Sequence, residues 1–242
     1  MKNLKNSGDG ILAENASWTF GSNTPKNFST HVKKSVPYYD TGHDLVSDIS
    51  DYFVKEDSIC YELGVSTGVL LKKLSNRHKP STTWIGIDRE KKMIDQAKVE
   101  VFSDNNKSKN LKLIVDDVIT YKYKKSDFIV SYYTVQFIPN RLRQILIDKI
   151  YSTLNWGGAF LIFEKVRGPD ARFQDLMTGV YNEFKLKQGY TPDEIISKAR
   201  SLKSVMEPFS TKGNLDMLNR AGFVDILPVF KWVCFEGYLC IK

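Results

Sequence analysis

The residues of this sequence that are best suited to chemistry begin with a glycine-containing stretch, CYELGVSTGVL, at residues 60–70. Gly64 and Gly68 would allow the backbone to approach a ligand closely, and a helix N-terminus after such a loop attracts anionic groups. The dinucleotide pattern Gly-x-Gly-x-x-Gly requires three glycines, and this stretch has only two. A dinucleotide is therefore disfavoured, which leaves another nucleoside ligand or a plain strand-to-helix turn.

Acidic residues follow two later apolar segments. Asp88 comes 24 residues after Gly64, and its two oxygens match the vicinal hydroxyls of a ribose. Asp117, followed by Val118, could accept an adenine amino group while an adjacent backbone amide meets a ring nitrogen. Either acid alone could be only a helix cap or a turn. Together with the glycine loop, however, the two acids describe a site for S-adenosylmethionine.

The elements that would position these residues alternate between strands and helices. Five apolar strands are predicted, at residues 58–63, 84–88, 111–115, 127–133 and 157–165. The segments between most of them carry apolar residues at helical spacing. Such alternation implies right-handed crossovers and a parallel sheet, whose ligands bind beyond the carboxyl ends of the strands. The loop and the two acids all follow strands, so we expect them at one edge of the sheet.

The alternation stops between residues 167 and 214. This segment shows helical spacing as far as Met206, and it could cap the site. The chain then ends in FVDILPVF and WVCFEGYLCIK, which predict an antiparallel edge, and another helix is predicted from about Thr41 to Phe53. We expect a single domain made of an N-terminal segment and helix (1–53), a cofactor-binding core (54–166), a helical cap insertion (167–214) and a C-terminal helix end with strands (215–242).

Composition limits the possible classes of protein. The chain has 242 residues, a formal net charge of +7 and three cysteines, but no apolar window of the roughly 20 residues that a membrane-spanning helix needs. The cysteines form no CxxC motif, which favours reduced thiols and a cytoplasmic location. The lysines lie in short runs beside acids, which favours a solvated surface over a nucleic-acid-binding face. We interpret His31, His43 and His78 as surface or loop residues, since none follows a strand.

With these features the sequence resembles the class I S-adenosylmethionine-dependent methyltransferases. LNWGGAFLIFE stands where that family usually has a Leu-x-Pro-Gly-Gly turn before its fifth strand, with Trp156 in place of the proline. The resemblance implies an α/β, Rossmann-like fold. Its sheet would have seven strands, mostly parallel, with an antiparallel C-terminal edge and a helical cap.

Further stretches are similar to one branch, the carboxy-S-adenosyl-L-methionine synthase family. They run collinearly from about Trp18 to the C-terminus and include WTF (18–20), SVPYYD (35–40), TVQFIP (134–139), FKLKQGYTPDEI (184–195), KARSLKSVM (198–206) and LNRAGF (218–223). The resemblance implies an enzyme that converts S-adenosylmethionine and prephenate to carboxy-S-adenosylmethionine and phenylpyruvate. In that family, carbon dioxide from prephenate is captured at the activated methyl group, so no strong protein base is required. The product serves tRNA wobble-uridine modification.

The same resemblance implies a homodimer, and the apolar cap helices with Trp18 and Phe20 are candidate interface material. The cofactor would be S-adenosylmethionine or its carboxylated form. We expect prephenate as the small-molecule substrate, and no metal, no membrane and no direct nucleic-acid partner.

The resemblance also assigns roles to single residues. Arg200 would pair with the added carboxylate, since a guanidinium grips a carboxylate through two charge-assisted hydrogen bonds. Tyr132 stands where the family has an asparagine that contacts the cofactor, and a phenol there could change how the cofactor's tail or prephenate sits. These two are the predicted catalytic residues. The predicted cofactor-binding residues are Tyr39, Glu62, Gly64, Val65, Ser66, Gly68, Asp88, Arg89, Asp117, Val118, Tyr132 and Arg200.

Two other functions stay open from the sequence. One is a transferase that moves a methyl or carboxymethyl group to RNA or to a small molecule, in which Arg200 would only select the carboxylated cofactor. The basic net charge favours this alternative mildly. The other is a cofactor-binding protein without catalysis, in which Tyr132 blocks the second substrate.

Overall fold

The computed structural model describes residues 4–21, 24–102 and 110–242. Near the N-terminus, two short strands, β1 (Lys5–Asn6) and β2 (Leu12–Ala13), pair antiparallel and precede two helices, α1 (Thr24–Ser35) and α2 (Tyr39–Ser50). Helix α2 confirms the helix predicted from about Thr41 to Phe53, although it begins and ends earlier. Helix α1 was not predicted, because its sequence is polar and buries small or polar side chains in place of an apolar stripe.

Seven strands form the main sheet, and most are joined by helices. The strands are β3 (Ile59–Leu63), β4 (Thr83–Asp88), β5 (Leu111–Val115), β6 (Ser126–Tyr132), β7 (Leu154–Lys165), β8 (Asp225–Trp232) and β9 (Phe235–Ile241). The helices are α3 (Val69–Arg77), α4 (Lys91–Phe102), α5 (Asn140–Thr153), α6 (Ala171–Lys187), α7 (Pro192–Ser201) and α8 (Thr211–Ala221). In the described ranges, no helix is both long and apolar enough to cross a membrane.

The order of the strands confirms the predicted class of fold. The sheet runs β5-β4-β3-β6-β7-β9-β8, in which the first five strands are parallel and β9 is antiparallel to both of its neighbours. The chain moves from β3 outward to β5 and then returns to place β6 on the other side of β3. This reversal opens a crevice beyond the carboxyl ends of β3 and β6, where doubly wound sheets bind their ligands.

The central strands are buried on both faces, which explains why they are continuous apolar runs in the sequence. Alternate residues of β4 enter two different cores: Trp84 packs with the helix α3 side, and Ile85 packs with the helix α5 side. Parallel strands with helices on both faces have no solvent-facing side, so the strand boundaries could be read from the apolar runs to within a few residues.

Helices α6 and α7 follow β7 and contribute a wall above the carboxyl edge of the sheet. Helix α7 begins with a capping box, in which the Thr191 hydroxyl accepts a hydrogen bond from the Glu194 amide and the Glu194 carboxylate accepts one from the Thr191 amide. The predicted helical pattern as far as Met206 is wrong beyond Ser201: Ser204 has φ +61°, a left-handed conformation that interrupts a helix.

The prediction that the three histidines lie on the surface or in loops is wrong for two of them. His31 in α1 and His43 in α2 are each 3% exposed. Burial lowers the pKa of His31 to about 3 and that of His43 to about 4, so both are neutral at pH 7. His78 follows α3 as its C-terminal cap residue, and its side chain is 9% exposed. Both helical histidines face interior positions that the polar sequence around them does not reveal.

Candidate active site

A cavity of about 850 Å³ lies at the carboxyl edge of the sheet. Its floor is formed by the ends of the parallel strands, and its walls come from α1, the start of α2, α6 and α7. Of the twelve predicted cofactor-binding residues, all except Gly68 and Arg200 line it. The topology therefore brings together side chains that are far apart in the sequence, as the strand-end rule predicts.

The glycine loop after β3 depends on its glycines for two different reasons. Gly64 has φ +71°, and a Cβ atom there would collide with the Thr134 side chain. Gly68 has φ +79° and caps the N-terminus of α3; a Cβ atom there would lie 2.8 Å from Val101 Cγ2 in α4. Gly68 therefore permits close packing of two helices and is not among the residues that line the cavity, so its cofactor contact stays a prediction. No side chain caps α3, whose first residues, Val69 and Leu70, line the cavity.

Asp88 at the end of β4 is held in one orientation by backbone amides. One carboxylate oxygen accepts a hydrogen bond from Ser66 N at 2.9 Å, and the other accepts one from Glu90 N at 2.9 Å. Burial raises the pKa of Asp88, whereas the two amide bonds oppose that rise. Each oxygen keeps a lone pair for a further donor, so the fixed carboxylate can accept hydrogen bonds from two neighbouring hydroxyl groups.

The next strand end supplies the second predicted acid. Asp117 is half-buried, and one of its oxygens accepts a hydrogen bond from Ile119 N at 2.8 Å. Its other oxygen accepts no hydrogen bond in the described part of the chain. Val118 beside it is buried and supplies an apolar surface to the cavity. An acid next to an apolar wall suits a flat heterocycle with an exocyclic amino group.

Glu62 in β3 carries a buried oxygen that lacks a partner. The residue is 4% exposed, and its Oε2 atom has no hydrogen bond within the described ranges. Burial, followed by the charge of Asp88, raises the pKa of Glu62. Because buried polar atoms are nearly always hydrogen-bonded, this oxygen fits a donor group on a ligand, such as an ammonium group.

Tyr132 lies at the end of β6 and lines the cavity, but its hydroxyl is bonded to the backbone of the chain itself. The hydroxyl donates a hydrogen bond to the Tyr39 carbonyl oxygen at 2.9 Å, and it lies against Gly42 in α2, where a Cβ atom would collide with it. Burial strongly raises the pKa of Tyr132. A phenol that is committed to a backbone carbonyl is poorly placed to transfer protons, so this geometry does not support the predicted catalytic role.

Arg200 does not lie in the cavity. It is exposed on α7, whereas Lys198 on the same helix and Leu202, the residue that caps its C-terminus, line the cavity. A residue two positions after Lys198 is rotated by about 200° around an α-helix, which directs it to the opposite side. This chain alone does not bring Arg200 to the cavity, and its contact with a ligand stays a prediction.

The cationic residues at the cap end of the cavity were missed. Lys165 ends β7, Lys185 lies in α6 and Lys198 lies in α7, and all three line the cavity. Lys165 lies at the carboxyl end of the fifth parallel strand. It could have been found by searching for polar residues at that strand end, as was done for the earlier strands. Lys185 and Lys198 carry no local signal, because a lysine in a polar helix normally faces solvent.

The residues at the other end fit an adenosyl cofactor. The carboxylate of Asp88 suits a ribose diol, Asp117 and Val118 suit an adenine ring, and the unpartnered oxygen of Glu62 suits an α-ammonium group. Among the residues that the structure describes, no cluster of three or more His, Cys, Asp or Glu side chains is arranged to hold a metal ion. The carboxylates and the apolar wall at this end thus suit a nucleoside with an amino-acid tail.

Comparisons with known proteins agree with this geometry. The chain is 40% identical over 226 residues to the carboxy-S-adenosyl-L-methionine synthase of Staphylococcus epidermidis, covering 93% of this chain and 97% of that protein. It is 34% identical over 219 residues to the protein of the same name from a Nitratiruptor species, covering 89% of each.

A family model described as a methyltransferase domain matches residues 61–158. An O-methyltransferase family protein from Burkholderia thailandensis shares the fold, with a TM-score of 0.64 and 13% identity, over 90% of this chain and 59% of that one. The identity to the two synthases extends over the cap as well as the sheet. From this extent of identity, the chain belongs to the carboxy-S-adenosyl-L-methionine synthase family, within the class I methyltransferase fold.

Proposed function

We propose that this protein converts S-adenosylmethionine and prephenate to carboxy-S-adenosylmethionine and phenylpyruvate. The observation that carries the proposal is the polarity of the cavity, which has the acids Glu62, Asp88 and Asp117 at the strand ends and three lysines at the cap end. The acids suit the neutral and cationic groups of the cofactor, and the lysines suit an anionic second substrate. The name of the synthase from Staphylococcus epidermidis supports carboxy-S-adenosyl-L-methionine as the product.

In the proposed complex, Asp88 holds the ribose and Asp117 with Val118 holds the adenine, while Glu62 accepts a hydrogen bond from the α-ammonium group. When bound, the cofactor supplies a sulfonium-activated methyl group that accepts the carboxyl carbon lost by prephenate. The hydroxide that leaves prephenate combines with the proton that leaves the methyl group, so water is the remaining product. The protein's part is to hold both molecules together in one cavity.

The test is mass spectrometry of small molecules that copurify with the protein, followed by incubation with S-adenosylmethionine and prephenate. We expect a carboxylated cofactor whose formation depends on prephenate, together with phenylpyruvate in equal amount. Recovery of only unmodified cofactor, with no turnover when prephenate is added, would overturn the proposal. Supply of the product to tRNA wobble-uridine modification is part of the proposal and is tested by the modification state of tRNA after loss of the protein.

The alternative of a cofactor-binding protein without catalysis depended on Tyr132 blocking the second substrate. The Tyr132 hydroxyl instead donates to the Tyr39 carbonyl oxygen and packs against Gly42, beside a cavity of about 850 Å³. A cavity of this size has room for a ligand beyond the cofactor. This geometry favours the synthase over the non-catalytic alternative.

A cytoplasmic location and a homodimer belong to the same proposal. The three cysteines are free and buried, which is compatible with a reducing compartment.

Large apolar side chains are exposed on α6 and α7, including Leu176 and Ile196, and they could be covered by a second copy. Trp18, in contrast, is buried within the chain against His31, so it is not interface material as predicted. Size-exclusion chromatography with light scattering tests the dimer.

A further inference from the structure

Three lysines from three different elements converge on the cap end of the cavity. Lys165 comes from β7, Lys185 from α6 and Lys198 from α7. Lys185 is 6% exposed. Within the described ranges, none of the three makes an ion pair with a carboxylate, although surface lysines such as Lys79 and Lys212 do. A buried ammonium group without a counter-ion is costly, so this arrangement needs an explanation.

The positions of the three ammonium groups are fixed by neighbours that carry no negative charge. The nitrogens of Lys165 and Lys185 lie 4.3 and 4.4 Å from the centre of the same aromatic ring, that of Tyr181. The Tyr181 hydroxyl donates to the Ser35 carbonyl oxygen at 2.8 Å, and Lys198 donates to the Ser35 hydroxyl at 2.6 Å. Ser35 therefore connects the supports of all three lysines, and the cluster is organised before any ligand binds.

Lys198 is also oriented by a contact with His31, which in turn contacts Asp9. Its nitrogen lies 2.5 Å from His31 Nε2, and His31 Nδ1 lies 2.9 Å from the carboxylate of Asp9. The proton of the neutral imidazole is assigned to Nδ1, so that Nε2 accepts from Lys198. An ammonium group has three hydrogens, and His31 and Ser35 use two of them. The third is available for a ligand in the cavity.

The three ammonium groups repel one another. Burial, followed by the charges of Lys185 and Lys165, lowers the pKa of Lys198 to about 7. Burial, followed by the charge of Lys165, lowers the pKa of Lys185 to about 8. Asp9 is the carboxylate that acts on Lys198, and it is already paired with His31 and Lys34. The repulsion would be relieved by an anion that carries more than one negative charge.

We propose that Lys165, Lys185 and Lys198 together form the binding site for a small organic dicarboxylate, which is the second substrate. The inference rests on the proposed function because it assigns the anionic substrate to a defined end of the same cavity. It adds three specificity-determining residues that act on the substrate and not on the cofactor. Two carboxylates match the cluster in charge, and one carboxylate alone leaves at least one ammonium group without a partner.

The experiment measures ligand binding by calorimetry in the full-length protein and in Lys165→Met, Lys185→Met and Lys198→Met variants. The ligands are prephenate, the unreactive dicarboxylate phenylsuccinate, the monocarboxylate 3-phenylpropionate and S-adenosylmethionine. We expect each variant to weaken both dicarboxylates by about tenfold or more, the effect of losing one charge-assisted hydrogen bond. Affinity for S-adenosylmethionine should stay within about twofold of the original protein.

Two matched variants make the result specific. Lys187→Met removes an exposed lysine from the same helix α6 and should change no affinity. Lys185→Arg keeps the charge and should recover part of the dicarboxylate affinity. Folding is checked by thermal denaturation: removing a buried charge without a counter-ion should leave the ligand-free midpoint unchanged or raise it, and the shift produced by phenylsuccinate should disappear.

The outcomes separate this inference from the proposed function. Unchanged dicarboxylate affinity in all three methionine variants, or no dicarboxylate binding by the original protein, overturns the lysine site. An equal loss of S-adenosylmethionine affinity also overturns it, because the lysines would then hold the cofactor's own carboxylate. Lysine-dependent dicarboxylate binding without formation of a carboxylated product leaves the site standing and overturns the proposed reaction alone.

Discussion

The two ends of the cavity are built in different ways. At the sheet end, Asp88 and Asp117 lie at the carboxyl ends of parallel strands and are oriented by backbone amides. Most of these amides belong to residues close to the acid in the sequence. At the cap end, Lys165, Lys185 and Lys198 come from separate elements and are held by side chains from other parts of the fold. The sheet end is thus a consequence of topology, whereas the cap end depends on tertiary packing of the helices.

The comparison predicts that a substitution can weaken ligand binding at one end of the cavity and leave binding at the other end unchanged. The largest effect is expected from Asp88→Ala, which removes the ribose acceptor and also the carboxylate that receives the Ser66 and Glu90 amides. We expect the affinity for S-adenosylmethionine to fall by about 100-fold, as for loss of two charge-assisted hydrogen bonds. Affinity for phenylsuccinate should change by less than about threefold.

Calorimetry with both ligands measures this difference. Asp225→Asn, at the exposed start of β8, is the control and should leave both affinities unchanged. Equal losses of the two affinities in Asp88→Ala would show that the ends are not independent.

A second change tests how rigidly the sheet end is specified. Gly64→Ala places a Cβ atom against Thr134 at a φ of +71°, so we expect the free energy of unfolding to fall by about 2–3 kcal/mol. The matched control is Gly179→Ala in α6, where no atom lies within 4 Å of the added Cβ. That change should be neutral or stabilise by up to about 1 kcal/mol, since alanine favours a helix.

Urea denaturation of both glycine variants gives the two free energies directly. A loss in Gly64→Ala that is no larger than in Gly179→Ala would contradict the proposed steric requirement of the loop.

The cap end should respond to pH in a range where the sheet end does not. The titratable groups that act on or contact Lys198 are His31, Asp9, Tyr190, Lys185 and Lys165. Between pH 7 and 9 the lysines lose protons, because the pKa values of Lys198 and Lys185 are lowered to about 7 and 8. Dicarboxylate affinity should therefore fall by about tenfold over this range, while affinity for S-adenosylmethionine changes much less.

Stability should change in the opposite direction. The native lysines bind fewer protons than the unfolded chain above pH 7, so the free energy of unfolding of the ligand-free protein should rise from pH 7 towards 10. Lys198→Met should reduce the pH dependence of both the dicarboxylate affinity and the free energy of unfolding. A dicarboxylate affinity that does not change between pH 7 and 9 would argue against charged lysines in this site.

The smallest effect is expected at Tyr132, at the end of β6. Tyr132→Phe removes one hydrogen bond to the Tyr39 carbonyl oxygen. We expect a loss of stability of about 1 kcal/mol and a turnover rate within about threefold of the original. Steady-state kinetics decides the point, because turnover slowed by about 100-fold or more would restore the catalytic role that the sequence predicted.

The sequence predicted the sheet end well for a physical reason. Parallel strands that are buried on both faces appear as apolar runs, and polar residues after such runs must meet at one edge. The strand at 111–115 was predicted with its observed boundaries. In contrast, α1 has no apolar stripe, so its buried residues His31 and Ser35 gave no signal.

The prediction for Arg200 shows a different limit. The similarity of the surrounding motif singled out Arg200 in the sequence. It did not reveal how α7 is rotated about its axis, which directs Lys198 towards the cavity and Arg200 towards the exposed side. The lysine cluster could not be predicted for a related reason: Lys185 and Lys198 become a site only when two helices and β7 pack together. Side-chain convergence of this kind depends on tertiary structure that local patterns do not encode.

The contact between Tyr132 and Gly42 has a consequence for how this protein can evolve. The phenol occupies the space that a side chain on α2 would need, so Gly42→Ala is incompatible with a tyrosine at position 132. A smaller residue at position 132 would instead leave a void beside the glycine, which a methyl group at position 42 could fill. The two positions therefore constrain each other's order of substitution: exchange at position 132 must come first, and each later change at position 42 closes the route back to tyrosine.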